Sequence, residues 1–245
     1  MSQDSIIIVK DLVKKFGNFI ANDHLTFDVY QGEIFGFLGA NGAGKTTAIR
    51  ILCGLSTPTS GKVSVAGYDA YKQTEKIKQN IGYMSQRFSL YEDLTAFENI
   101  QFYGGIYGLS SKEIKSRSAK LFDRLGFEEF QKKQIKDIPL GWRQKLAFSV
   151  AIFHKPKIVF LDEPTGGVDP ITRRQFWDLI YQAANDGITI FVTTHYMDEA
   201  EYCNRASIMV DGRIADIDTP LNMIKKYNAN SMDDVFYILA RKMVD

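Results

Sequence analysis

The 245-residue sequence has only two cysteines, Cys53 and Cys203, with no metal or redox spacing, so neither a disulfide framework nor a thiolate metal site is expected. Long apolar runs are also missing. Ile34–Leu38 and Ile158–Leu161 are strand-sized and fall far short of the ~20 residues that cross a bilayer, so no membrane span is expected. Neither charge is in surplus: 30 Lys and Arg against 29 Asp and Glu leave a net charge of +1. The lysines from Lys112 to Lys136 alternate with Glu113, Asp123, Glu128 and Glu129, which reads as a solvated face and not as a nucleic-acid groove. The opening MSQDS carries no charged-then-apolar leader, so a reducing cytosolic setting is expected. With 45% hydrophobic and 24% charged residues, the chain can bury one sizeable core with an attached lobe.

What the sequence does hold is centred on Gly39-Ala40-Asn41-Gly42-Ala43-Gly44-Lys45-Thr46, which satisfies the pattern G-x-x-x-x-G-K-[ST] at every defined position. Ile34–Leu38 reads as a buried strand before it and Thr47–Cys53 as a helix after it, the setting that the pattern requires. The glycines let successive N–H groups point inward, and the helix start adds partial positive charge, so the loop suits a polyphosphate. In that pattern Lys45 reaches the β and γ phosphates and the Thr46 hydroxyl joins the shell of a Mg²⁺ ion.

Around the loop the chain alternates between strand and helix signals. Ile6–Phe16 and Leu25–Tyr30 read as strands of an antiparallel layer, with Phe16 at a strand end where an aromatic ring could stack on a purine or be plain core. Gln86 directly follows the strand Ile81–Met84. From Thr95 to His154 helical periodicity takes over, an inserted helical lobe, and Pro139-Leu140-Gly141 opens its last helix, where a helix start again favours phosphate. The buried strand Ile158–Leu161 ends in Asp162-Glu163, adjacent carboxylates that are costly to ionise without a cation nearby. A metal–phosphate site removes that objection, with Asp162 on Mg²⁺ and Glu163 polarising the attacking water. Asp169-Pro170 starts a helix, and the strand Ile188–Thr193 delivers Thr194-His195 to the same edge as Lys45 and Glu163.

Taken in order, the loop Gly39–Thr46, Gln86, the helical lobe, Leu161-Asp162-Glu163-Pro164-Thr165, Asp169-Pro170 and Thr194-His195-Tyr196-Met197-Asp198-Glu199-Ala200-Glu201 resemble the ATP-binding subunits of ABC transporters over the whole chain. The last phrase and Ser231-Met232-Asp233-Asp234-Val235-Phe236 are similar to those of drug and antibiotic exporters. The resemblance implies an α/β fold: a phosphate-loop NTPase core (1–86 and 155–217) with an antiparallel β layer, a helical subdomain (87–154) and C-terminal helices (218–245). It also implies ATP and Mg²⁺ as ligands, a membrane-spanning permease partner, and a peripheral place on the cytoplasmic face of the membrane. Two such chains would close head-to-tail over two ATP molecules. On this reading Phe16 stacks on adenine, residues Gly39 through Thr46 with Thr47 cradle phosphate, and Gln86 senses Mg²⁺. Glu163 is then the general base and His195 contacts the γ phosphate.

The family's signature, about Leu-Ser-Gly-Gly-Gln, aligns with Ile138-Pro139-Leu140-Gly141-Trp142, so the serine hydroxyl and one glycine are missing. Losing a hydrogen bond to a charged group costs about 1.5 to 3 kcal/mol, enough to slow turnover without abolishing it. Two readings stay open: a slow homodimer, or a half-degenerate, weakly hydrolysing member of an asymmetric pair. Ribosome-acting relatives need two cassettes in one chain, and DNA-repair relatives need a long heptad insertion that this sequence lacks. Finally, Arg87-Phe88-Ser89-Leu90-Tyr91 places three large apolar side chains in a loop beside the lobe and reads as an exposed docking face for a helix of the membrane partner, with Phe88 and Leu90 packed under the lobe as the alternative.

Overall fold

The computed structural model describes residues 4–86 and 90–244. Period-two patterning makes a long hairpin of β1 (Ser5–Phe16) and β2 (Phe19–Tyr30). After it come β3 (Ile34–Gly39), whose residues are all buried, and α1 (Lys45–Leu52). Next are β4 (Ser60–Val65), β5 (Tyr68–Asp69), α2 (Thr74–Asn80) and β6 (Ile81–Met84). Three helices follow in succession: α3 (Ala96–Ile106), α4 (Ser111–Leu125) and α5 (Leu140–Ile152). The chain then returns to β7 (Ile158–Asp162), α6 (Pro170–Asn185), β8 (Thr189–Thr194), β9 (Arg205–Val210) and β10 (Arg213–Asp218). It closes with α7 (Pro220–Lys226) and α8 (Met232–Val244).

The strands form two sheets. One is antiparallel and ordered β2-β1-β4-β5; the other is ordered β10-β9-β3-β8-β7-β6 and is parallel except where β10 returns along β9. On one face of the second sheet Phe35, Phe37 and Phe191 meet Phe27 of the hairpin and Phe160 packs on Phe191, with ring centroids 5.3 to 6.2 Å apart. Each such buried ring contributes about 1.5 to 3 kcal/mol. On the other face Ile34, Val159, Leu161, Ile190 and Val192 pack into the cluster that includes the apolar sides of α5 and α6. The parallel strands therefore read as continuous apolar runs, because both of their faces are covered.

Most element expectations hold within a residue or two, and β6 holds at both ends. The second strand is the exception, since it starts at Phe19 and not at Leu25. The polar run Asn22-Asp23-His24 reads as a break, yet irregular register on β1 and a left-handed His24 (φ 55°) carry the strand through it. Asn22 is fully buried beneath the loop before α1, and the Asp23 amide donates to the Gly212 carbonyl.

The helices are bounded by local chemistry. Thr95 with Glu98, and Ser110 with Glu113, form reciprocal capping boxes at the starts of α3 and α4, and Asp169 caps α6 ahead of Pro170. The lobe joins the sheet at a tight crossing where β6 passes the end of α5: a Cβ added at Gly82 would overlap the Ala151 carbonyl oxygen. Gly82→Ala is accordingly expected to lower stability by about 1 to 3 kcal/mol. The measurement is a urea midpoint at unchanged m-value, with Gly105→Ala on α3, where an added Cβ meets nothing within 4 Å, expected to cause no loss.

Candidate active site

β3 runs into the loop 40–44, and the backbone reverses there through Gly42 (φ 83°) and Gly44 (φ 100°). Gly44 is the residue that caps α1, no side chain caps that helix, and a Cβ at this position would overlap the Ala21 carbonyl oxygen. Only glycine fits, on both backbone conformation and space. Asn22 clamps the turn from below by donating through Nδ2 to the Gly44 carbonyl at 3.1 Å. Lys45 is 4% exposed and its Nζ donates to the carbonyls of Gly39 (2.8 Å) and Ala40 (3.0 Å). Burial pulls its pKa down, and the Glu163 carboxylate, 3.3 Å away, pulls it back.

β7 supplies the opposing acids. Asp162 is buried, which pushes its carboxyl pKa up, but its Oδ1 accepts from the hydroxyls of Thr193 (2.7 Å) and Thr46 (3.3 Å), which oppose the shift. Glu163 sits in the left-handed region at φ 49°, a conformation that costs a residue with a side chain about 1 to 3 kcal/mol. Its amide donates to the Thr193 carbonyl at 3.1 Å. The carboxylate is held at both oxygens: Lys45 lies at Oε1, while at Oε2 Gln86 donates through Nε2 at 3.1 Å and His195 Nδ1 lies at 3.0 Å. A cavity of about 290 Å³ opens beside this carboxylate, lined by Asn41, Gln86, Gln144, Gly166 and His195. Its size suits the phosphate end of a nucleotide more than the whole molecule.

The structure thus brings Lys45, Thr46, Gln86, Asp162, Glu163 and His195 into one cluster, with Ala40 to Ala43 on its rim and Thr47 in the first turn of α1. Phe16 stands apart on the tip of the β1–β2 hairpin, 55% exposed, with Lys14 Nζ 4.9 Å above its ring. Its cross-strand partner Phe19 is 64% exposed. Pro139 caps α5 without a side-chain hydrogen bond, Leu140 begins the helix, and Gly141 rests so closely on Thr172 that a Cβ would strike its methyl group. Trp142 packs on Phe127 and Phe130 with centroids 5.3 and 5.6 Å away and so anchors that helix start in the lobe.

The proposed docking loop needs correcting. Arg87, Phe88 and Ser89 lie outside the described residues, and Leu90 is not exposed: it is 5% accessible and belongs to the core. Tyr91 is half exposed but packs edge-on against Phe102 at 4.9 Å. Sequence reasoning also passed over Thr193, Asn22 and Gln144, whose side chains hold Asp162, the phosphate loop and the Gly166 carbonyl. Only the placement of β8 between β3 and β7, visible once the sheet is built, singles out Thr193.

The donor set fits a magnesium–nucleotide complex. The loop turns its peptide dipoles around a buried lysine, and beside it stand a threonine hydroxyl, a carboxylate and an amide, with no group of three or more His, Cys, Asp or Glu side chains among the described residues arranged to hold a metal ion by themselves. Few protein ligands are needed where phosphates complete a Mg²⁺ shell.

Comparison with known proteins agrees. The sequence profile of the family described as ABC transporter matches residues 22–166. The chain is 44% identical over 227 residues to "Probable multidrug ABC transporter ATP-binding protein YbhF" of Escherichia coli (strain K12), which covers 93% of this chain and 39% of that protein. It is 35% identical to the linearmycin resistance ATP-binding protein LnrL of Bacillus subtilis (strain 168), over 91% of this chain and 72% of that protein. A solved structure of an ATP-binding subunit of an ABC transporter superposes with a TM-score of 0.86 at 27% identity, over 96% of this chain and 99% of that one. A dimeric post-hydrolysis state of an ATP-binding cassette with ADP and Pi superposes with a TM-score of 0.79 at 25% identity, over 87% and 98%.

Lys45→Ala removes the buried cation from the loop and is expected to weaken nucleotide binding at least about tenfold, since charge-assisted hydrogen bonds contribute about 1.5 to 3 kcal/mol each. Titration with a fluorescent ATP analogue checks this, and an unchanged affinity would remove the loop from the binding site.

Proposed function

Because this chain belongs to the ABC transporter family of ATP-binding proteins, we propose that it binds and hydrolyses ATP to drive a separate membrane-spanning permease, in export of a drug-like or antibiotic compound. The observation that carries the reading is the Glu163 carboxylate held at one edge of the sheet by Lys45, Gln86 and His195. The chain spans 39% of the length of YbhF, the relative at 44% identity, so the whole transporter's substrate and assembly are part of the proposal. No described helix is long and apolar enough to cross a membrane, which fits a cassette attached to a permease from outside.

Each residue then has a role. The N–H groups of Ala40 to Thr47 and the Lys45 ammonium bind the phosphates, and Phe16 stacks on the base. Thr46, Asp162 and Gln86 would hold Mg²⁺, which when bound neutralises phosphate charge and orients the terminal phosphoryl group. Glu163 accepts the proton of the attacking water. Its carboxylate is engaged by Lys45 in this structure, so the transfer of Lys45 to phosphate frees Oε1 for that task. His195 orients Glu163 and the γ phosphate. Residues 87–154 act as a helical subdomain on a core of 1–86 and 155–217, with 218–245 as a C-terminal extension. In a head-to-tail pair, Pro139, Leu140 and Gly141 face the partner's nucleotide with the uncapped start of α5 and no hydroxyl. That favours slow turnover, or pairing with a chain whose signature is regular.

The permease contact moves from the 87–91 loop to the groove between the lobe and the core. This groove of about 870 Å³ is lined by Leu55, Tyr103, Ile106, Tyr107 and His154, with Leu55 56% and Ile106 62% exposed. Apolar surface of this kind fits a short amphipathic helix.

Glu163→Gln keeps the shape of the site and loses the base, so steady-state ATPase activity is expected to fall by at least about a hundredfold with ATP affinity retained. Hydrolysis at the wild-type rate would withdraw Glu163 from that role. The double variant Leu55→Glu/Ile106→Glu is expected to bind ATP normally yet fail to co-purify with a co-expressed permease. Normal co-purification would place the contact elsewhere.

A further inference from the structure

Glu199 lies in the turn after β8 and is 0% exposed, a carboxylate wholly inside the protein. Its Oε1 accepts from the Thr165 hydroxyl at 2.7 Å, and Arg173 Nε stands 3.7 Å from the same oxygen, while Oε2 is buried with no hydrogen-bond partner among the described residues. Arg173 is shared: its guanidinium lies 4.2 Å over the Tyr196 ring and reaches the exposed Asp198 at 3.4 Å. A buried carboxylate with one short bond and one loose ion pair does not stabilise a fold better than an apolar side chain of the same size. Stability alone therefore leaves Glu199 without a purpose.

Its position supplies one. Glu163 ends β7 and His195 follows β8, so the two arrive on separate strands and meet through Oε2 and Nδ1 at 3.0 Å. Thr165 is two residues beyond Glu163, and Glu199 is four beyond His195. The Thr165–Glu199 bond and the Glu163–His195 contact thus close a ring: from Glu163 through Pro164 to Thr165, across to Glu199, and back through residues 198–196 to His195. The turn within the ring is held further where Gln144 of α5 donates to the Gly166 carbonyl at 3.2 Å and the Gly166 amide donates to the Glu163 carbonyl at 3.3 Å.

We infer that Glu199 is a positioning residue for hydrolysis, a buried clasp that fixes the segments of Glu163 and His195 against each other and so sets the aim of the Glu163 carboxylate. The inference rests on the ATP-hydrolysis reading above. It separates activity from stability, because the clasp orients the site while its buried charge weighs against the fold.

The test is kinetic and thermal on the same variants. Glu199→Leu is expected to lower kcat about ten- to hundredfold, the scale of an ångström-sized misplacement, with KM for ATP within about twofold and a thermal midpoint equal to or above wild type. Glu199→Gln, whose amide oxygen can still accept from Thr165, should recover most of kcat. Thr165→Val breaks the same bond from the other side and should reproduce the loss; it decides the matter if Glu199→Leu does not fold. Placed on Glu163→Gln, Glu199→Leu should cause no further loss, since both act through one carboxylate. Unchanged kcat in Glu199→Leu or Thr165→Val, or a kcat that falls together with the thermal midpoint and is not restored by Gln, overturns the clasp. Full activity in Glu163→Gln alone would instead overturn the reading beneath it.

Discussion

A buried ammonium and two adjacent carboxylates at the carboxyl edge of one sheet set the terms for everything around them. Each of these charges is expensive away from water, and each is tolerable because the others, with hydroxyls and peptide groups, stand within hydrogen-bonding reach. Lys45 arrives on the loop after β3, Asp162 and Glu163 at the end of β7, and Thr193 on β8 between them, so compensation requires these three strands to lie in the order β3-β8-β7. The parallel crossovers, the continuous apolar strands and the phenylalanine layer beneath them keep that edge in register. In the left-handed backbone at Glu163, packing energy from the sheet is spent on aiming one side chain.

Much of this was legible in the sequence wherever the constraint is local. The phosphate loop is encoded by the positive-φ backbone that its glycines allow and the start of α6 by Asp169-Pro170, both of which act within a few residues. What could not be read depends on neighbours distant in sequence. Asn22 looks like part of a turn until Gly44 is placed above it, and Thr193 looks like any β-branched strand residue until Asp162 is placed beside it. Leu90 reads equally as a docking residue or as core, because nothing near it in sequence shows that the lobe folds over it. Glu199 and Thr165, 34 positions apart, belong to the same class.

The start of α5 illustrates a different compromise. Pro139 and Leu140 stand there without a side-chain hydroxyl, and Trp142 packs on Phe127 and Phe130. The start of α5 is therefore held by apolar packing and by the seat of Gly141 on Thr172, with no side-chain cap. What it can present to an anion is peptide N–H and helix dipole, a softer grip than a hydroxyl aimed at one oxygen.

The crossing of Gly82 with Ala151 makes a lever of α5. The 13 residues of that helix span about 20 Å, with the pivot where Ala151 presses on β6 and the tip at Leu140. A tilt of about ten degrees at such a pivot swings the tip by about 3 Å, roughly the difference between a hydrogen bond and open water. The same strand leads within two residues to Gln86, which touches Glu163. A tilt about that crossing would therefore displace the far end of α5 most and the strand that leads to Gln86 least.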